Sequence, residues 1–217
     1  MVDPSHAKKY TRSEIEQIGA RLLGQVYPGG VIIPIDVDLL VEQHPKIDDI
    51  IPAELLEDQF GVAAALVYKP ASCTFDIFVD EDTYSRQRGR ASFSIAHEFG
   101  HVVLHADVCN ICNTLQATLE LRTRLKKSYS RMEQDADDFA AAMLMPRLKV
   151  QQDAMSLYEG LVGLYGHDVT LIPHKLSLGL ASEYKVSVPA MKVRLDHLGL
   201  QRQVMAALQA KFSCLDL

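Results

Sequence analysis

Five residues constrain this chain more than any others: His97-Glu98-Phe99-Gly100-His101. They sit inside a run, from about Arg88 to His105, in which Phe93, Ile95, Ala96, Phe99, Val102, Val103 and Leu104 give the broad apolar coverage of a buried helix. Residues four apart share a helix face, so both imidazoles can reach one ion. Glu98 lies about 100° further round the axis and points beside that ion, where it suits a base and not a ligand. The bland alternative is two ordinary helix histidines next to a surface glutamate, and the rest of the chain has to decide between them.

Glu133-Gln134-Asp135-Ala136-Asp137 weighs against the bland alternative. These residues open a second helix, whose apolar stripe of Met132, Ala136, Phe139, Ala140, Met143 and Leu144 runs until Pro146 stops it. Glu133 and Asp137 fall on one face, again four apart. One of them can bind the ion while the other accepts the free N–H of a ligand histidine and fixes its tautomer. Asp135 and Asp138 fall on other faces and read as solvated charges. Two histidines and a carboxylate suit zinc, with manganese the alternative in a cell. Such a set keeps a position for water, lowers its pKa towards about 7, and lets Glu98 take the proton as the hydroxide attacks a carbonyl.

Composition bounds the setting. The chain has 217 residues, is 48% hydrophobic and 23% charged, and carries a net charge of −6, the profile of a soluble globular protein able to bury its own core. Four cysteines, of which only Cys109 and Cys112 are close in sequence, are too few for a disulfide framework and suit a reducing compartment, so a cytoplasmic address is expected. No apolar stretch is long enough to span a membrane, and the N-terminus has no signal-peptide pattern. The acidic balance disfavours a protein whose main work is neutralising phosphates.

The remaining pattern predicts a flexible tail over 1–12, a helix from about Ser13 to Val26 with Ser13-x-x-Glu16 as a capping box, and a short helix from Val37 to Gln43 capped by Asp36. A weaker helix is expected from Pro52 to Asp58. An antiparallel hairpin follows from Gly61–Tyr68 and Thr74–Val79. A polar, partly basic connection is expected over 107–131. After Pro146, helices are expected at about Lys149–Tyr158, Ser177–Tyr184 and Val188–Leu198. The fold class is α+β, mainly helical with a small antiparallel sheet, divided into a catalytic domain over 13–147 and a helical subdomain over 148–217.

Arg90-Ala-Ser-Phe-Ser-Ile-Ala-His97-Glu98-Phe-Gly-His101-Val-Val-Leu-His105 and Glu133-Gln-Asp-Ala-Asp137-Asp-Phe-Ala-Ala-Ala-Met-Leu-Met-Pro146 together resemble the ImmA/IrrE family of zinc metallopeptidases. The likeness extends more weakly to the preceding helix and hairpin and to Leu180–Gly199. It implies a zincin-like catalytic domain of the gluzincin type, with His97 and His101 as histidine ligands, Glu133 as third ligand and Glu98 as catalytic glutamate. Asp137 stands where Asn is common in relatives, and either can accept the second-shell hydrogen bond. Several family members act as anti-repressors that cut a helix-turn-helix repressor and induce the stress-response, phage or mobile-element genes it silenced. The resemblance therefore implies such a repressor as the protein partner.

Other features compete for roles. His105 extends the histidine face by a turn, but a fourth ligand would displace the catalytic water, so it is expected to pack or to support a ligand. Cys109-Asn-Ile-Cys112 has half a zinc site's spacing and no second pair, which leaves an incidental or redox-sensitive pair. Tyr158, Tyr165, His167, His174 and Tyr184 include donors that could serve an oxyanion. Leu180–Gly199 reads as helix, turn, helix, and from 175 to 202 Lys175, Lys185, Lys192, Arg194 and Arg202 outnumber Glu183 and Asp196. That basic face supports an alternative in which the protein is a non-proteolytic DNA- or partner-binding regulator or a toxin–antitoxin component. A substrate-holding subdomain is the reading preferred here, because DNA readers carry denser charge.

Overall fold

The computed structural model describes residues 8–124 and 129–212. It divides into two compact units, Met1–Leu144 and Met145–Leu217. Unit 1 begins with helix α1 (Arg12–Val26) and the short α2 (Val37–Glu42). The cap of α1 is Thr11 with Glu14 rather than Ser13 with Glu16: the Thr11 hydroxyl accepts from the Glu14 N–H, and the Glu14 carboxylate accepts from the Thr11 N–H at 2.8 Å. The Asp36 cap of α2 is as expected, accepting from the Leu39 N–H at 3.2 Å. Part of the tail expected over 1–12 lies among the described residues. Tyr10 is buried, and its hydroxyl donates to the Leu104 carbonyl at 3.2 Å; residues 1–7 lie outside the described residues.

Strands β1 (Ile47–Ala53), β2 (Ala64–Lys69) and β3 (Thr74–Asp80) form one sheet in the order β1-β3-β2, with the five-residue α3 (Leu56–Phe60) between β1 and β2. The hairpin of β2 and β3 is antiparallel, pairing Leu66 with Ile77 and Tyr68 with Phe75. The sheet as a whole is mixed and not purely antiparallel, because β1 pairs parallel with β3. The helix expected at Pro52–Asp58 is thus the end of a strand followed by α3. Pro52 is tolerated because β1 is an edge strand that needs no donor on its outer side. The other edge, β2, is covered: Tyr68 donates its N–H to the Cys112 carbonyl at 2.7 Å, and the Thr118 hydroxyl donates to the Leu66 carbonyl at 2.5 Å.

Asp80 ends β3 and caps α4 (Glu81–Arg86), accepting from the Thr83 N–H at 3.0 Å. Then comes α5 (Arg88–Cys109), with Ile95, Ala96, Phe99 and Val102 buried, as its continuous apolar coverage demands. Helical backbone angles fail once inside it, at His105 (φ −133°, ψ 21°). The connection expected over 107–131 contains α6 (Leu115–Arg124), and α7 (Tyr129–Leu144) then packs its stripe of Met132, Ala136, Phe139, Ala140 and Met143 against α5. Residues 125–128 and Cys214 lie outside the described residues.

Gly100 sets the closeness of the α5–α7 crossing. A Cβ there would lie 3.1 Å from Phe139 Cδ1 and 3.2 Å from the Ala136 Cα. The second of these is backbone and cannot rotate away. Gly100→Ala is therefore expected to force the helices apart and destabilise the fold by about 1–3 kcal/mol, as overpacking does. Denaturant unfolding of the metal-free protein measures this, and an unchanged midpoint would contradict it.

Unit 2 is helical: α8 (Arg147–Tyr165), α9 (Leu171–Tyr184), α10 (Val188–His197) and α11 (Leu200–Phe212) enclose Val150, Leu161, Ile172, Leu180, Met191 and Leu208. Lys185 ends α9 in the left-handed region (φ 54°), and Ser187 caps α10 by accepting from the Ala190 N–H at 3.2 Å. The helix, turn and helix expected over Leu180–Gly199 are present, with the turn at 185–187. Arg194, counted above in the basic face, is 4% exposed and donates to the Met145 carbonyl at 2.9 Å, so it holds the unit together. Tyr184 is likewise occupied, donating to Asp153 at 2.7 Å.

Candidate metal centre

The close crossing of α5 and α7 brings three donors together. His97, His101 and Glu133 each offer one ligand atom, and these atoms lie within 4.8 Å of one another. Glu133 Oε1 is 2.9 Å from His101 Nε2, and Glu133 Oε2 is 3.3 Å from His97 Nε2. Two ligands about 2.1 Å from one tetrahedral ion stand ~3.4 Å apart, so the donor set has the spread and chemistry that zinc takes. Among the described residues no other cluster of this kind occurs.

The two carboxylates of α7 occupy distinct places. Asp137 stays outside the donor set, its Oδ1 2.9 Å from His97 Nδ1 on the far side of that ring from Nε2. Burial would lower the His97 pKa, but the hydrogen bonds to Asp137 and Glu133 outweigh it and push His97 up to about 10. Burial would raise Glu133, yet its bonds to His101 and His97 hold its carboxyl far below the usual range.

Glu98 is 3% exposed and lines, with His101, a small cleft completed by Leu66, Cys109, Cys112, Thr118 and Leu121. Both cysteines are buried, and burial pushes the Cys109 thiol well up, which keeps it protonated and unreactive. Neither belongs to a three-residue metal cluster among the described residues.

Two acids depart from their expected setting. Asp138 is mostly shielded and bonds the Arg12 side chain at 3.0 Å. Asp135, expected in solvent, is 1% exposed, with Arg131 Nε 3.0 Å from its Oδ1. The Arg131 guanidinium also donates to the Tyr10 carbonyl, so a segment more than a hundred residues away in sequence covers this acid. His105 is fully buried, its Nδ1 3.2 Å from His101 Nδ1. Burial and the neighbouring His101 push its pKa down to about 3 and keep the ring neutral; His105 is not among the converging donors.

Residues 74–196, more than half the chain, match the family model described as the IrrE N-terminal-like domain, a peptidase family. The span takes in β3, the whole α5–α7 crossing and the chain as far as α10. No curated protein matches the chain at a significant level. No helix among the described residues is long and apolar enough to cross a membrane.

Proposed function

The chain belongs to the IrrE N-terminal-like family of metallopeptidases, and on that premise we propose that it is a zinc-dependent endopeptidase whose substrate is a helix-turn-helix repressor. The observation that carries the reading is the convergence of His97, His101 and Glu133 within 4.8 Å. Zinc, when bound there, supplies a water acidified to a pKa of about 7 and a Lewis acid for the scissile carbonyl. The protein's own groups do the rest. Asp137 accepts the Nδ1–H of His97 and so holds Nε2 towards the ion. Glu98, in a low-dielectric cleft beside His101, receives the water's proton and can return it to the leaving amine. Unit 2, with its helix-turn-helix, helps to hold the protein substrate.

The repressor as substrate rests on the family resemblance. Metal-loaded chain, incubated with the repressor encoded beside its gene, is expected to yield discrete fragments, and a chelator is expected to stop the cut. Absence of any fragment under inducing conditions would overturn the substrate assignment. The regulator alternative loses ground at Arg194, whose buried bond to the Met145 carbonyl removes it from the basic face.

A further inference from the structure

We infer that His105 and Asp135 are positioning residues that fix the tautomer and orientation of His101 through a buried His101–His105–Asp135 chain. This rests on the reading of His97, His101 and Glu133 as metal ligands. His101 directs Nε2 at Glu133 and Nδ1 at His105 Nδ1, 2.9 and 3.2 Å away. Two ring nitrogens at that distance share a single proton, so one donates and the other accepts. His101 must keep the Nε2 lone pair for the ion; its proton is then on Nδ1, and His105 Nδ1 is the acceptor. The proton of His105 is thereby assigned to Nε2.

That Nε2 is buried, has no hydrogen-bond partner among the described residues, and lies 3.9 Å from Asp135 Oδ2. A shift of ~1 Å by either side chain makes the hydrogen bond. The two side chains are 0% and 1% exposed. Burying the Nε2–H of His105 is costly unless it finds an acceptor, and apolar side chains would fill the same volume more cheaply. The surroundings hold the chain in line. Arg131 Nε sits 3.0 Å from Asp135 and its guanidinium also donates to the Tyr10 carbonyl, while Tyr10 sets its ring edge-on to His105 with centroids 6.1 Å apart. Nothing in the proposed hydrolysis needs His105 to touch substrate, so its effect has to appear in the metal site itself.

Two measurements test this. Long-range proton–nitrogen NMR of the zinc-loaded protein should show His101 protonated at Nδ1 and His105 at Nε2, with no variant needed. His105→Phe, similar in volume but without an acceptor, should lose roughly 10- to 100-fold in zinc affinity by chelator competition. His105→Asn, whose side-chain oxygen falls near the place of Nδ1, should recover most of that loss. A His105 protonated at Nδ1 in the zinc-loaded protein, or a folded His105→Phe protein that binds zinc as tightly as wild type, would overturn the inference and leave the metal centre standing. A wild-type protein that takes up no stoichiometric zinc would overturn both.

Discussion

Glu98→Gln is expected to leave one zinc per chain and to slow cleavage by roughly 10²- to 10⁴-fold, the usual contribution of a positioned base. The substitution keeps the volume of a side chain that is 3% exposed, so packing around α5 survives, while the amide can no longer take a proton. Glu98 is absent from the converging donor set of His97, His101 and Glu133, so the metal should be retained. Single-turnover cleavage with metal content measured on the same sample separates the outcomes. A normal rate would rule out Glu98 as the base, and loss of zinc would make it a ligand.

The candidate metal centre was legible because its residues are ordered by helix geometry alone. The four-residue spacings of His97–His101 and Glu133–Asp137 each define a face, and apolar coverage of both helices implies that those faces meet. The division of labour between Glu133 and Asp137 was not legible from spacing, since either carboxylate satisfies it; the crossing of α5 and α7 separates them, putting Glu133 at both Nε2 atoms and Asp137 behind His97. What sequence could not show depends on distant contacts. β1 exists because Ile50 and Ile51 pair with Ile77 and Phe78, partners that no local pattern announces, and Pro52 suggested a helix start instead. Asp135 looks solvated on a helical wheel and is buried because Arg131 and Tyr10 close over it. The basic count in unit 2 likewise treated Arg194 as surface, whereas its bond to Met145 is internal.

Removing a ligand should be more damaging to the metal than removing a supporting residue, and this distinguishes His101→Ala and Glu133→Ala from every other substitution proposed here. Supporting groups contribute about 10- to 100-fold in affinity, so loss of His101 or Glu133 is expected to cost more than ~100-fold and to abolish cleavage with it. Glu133 bonds both histidines, so its removal takes away a donor and also the carboxylate that gathers the other two. The same contacts set a pH dependence. In chelator-treated protein His97, pushed up to about 10 by Asp137 and Glu133 against the effect of burial, carries a proton at neutral pH. A metal that binds through its Nε2 must expel that proton, whereas Glu133 is already ionised. Wild-type zinc affinity should therefore rise with pH, by up to about tenfold per unit for one displaced proton, and level off near pH 10. Asp137→Ala takes away one of the two bonds that raise His97, so its affinity should be weaker yet respond less steeply to pH. Competition titrations between pH 6 and 9 read both the slope and the offset. Equal slopes in the two proteins would mean that Asp137 does not govern the protonation of His97, and a flat wild-type profile would mean that His97 does not give up its proton to bind the metal.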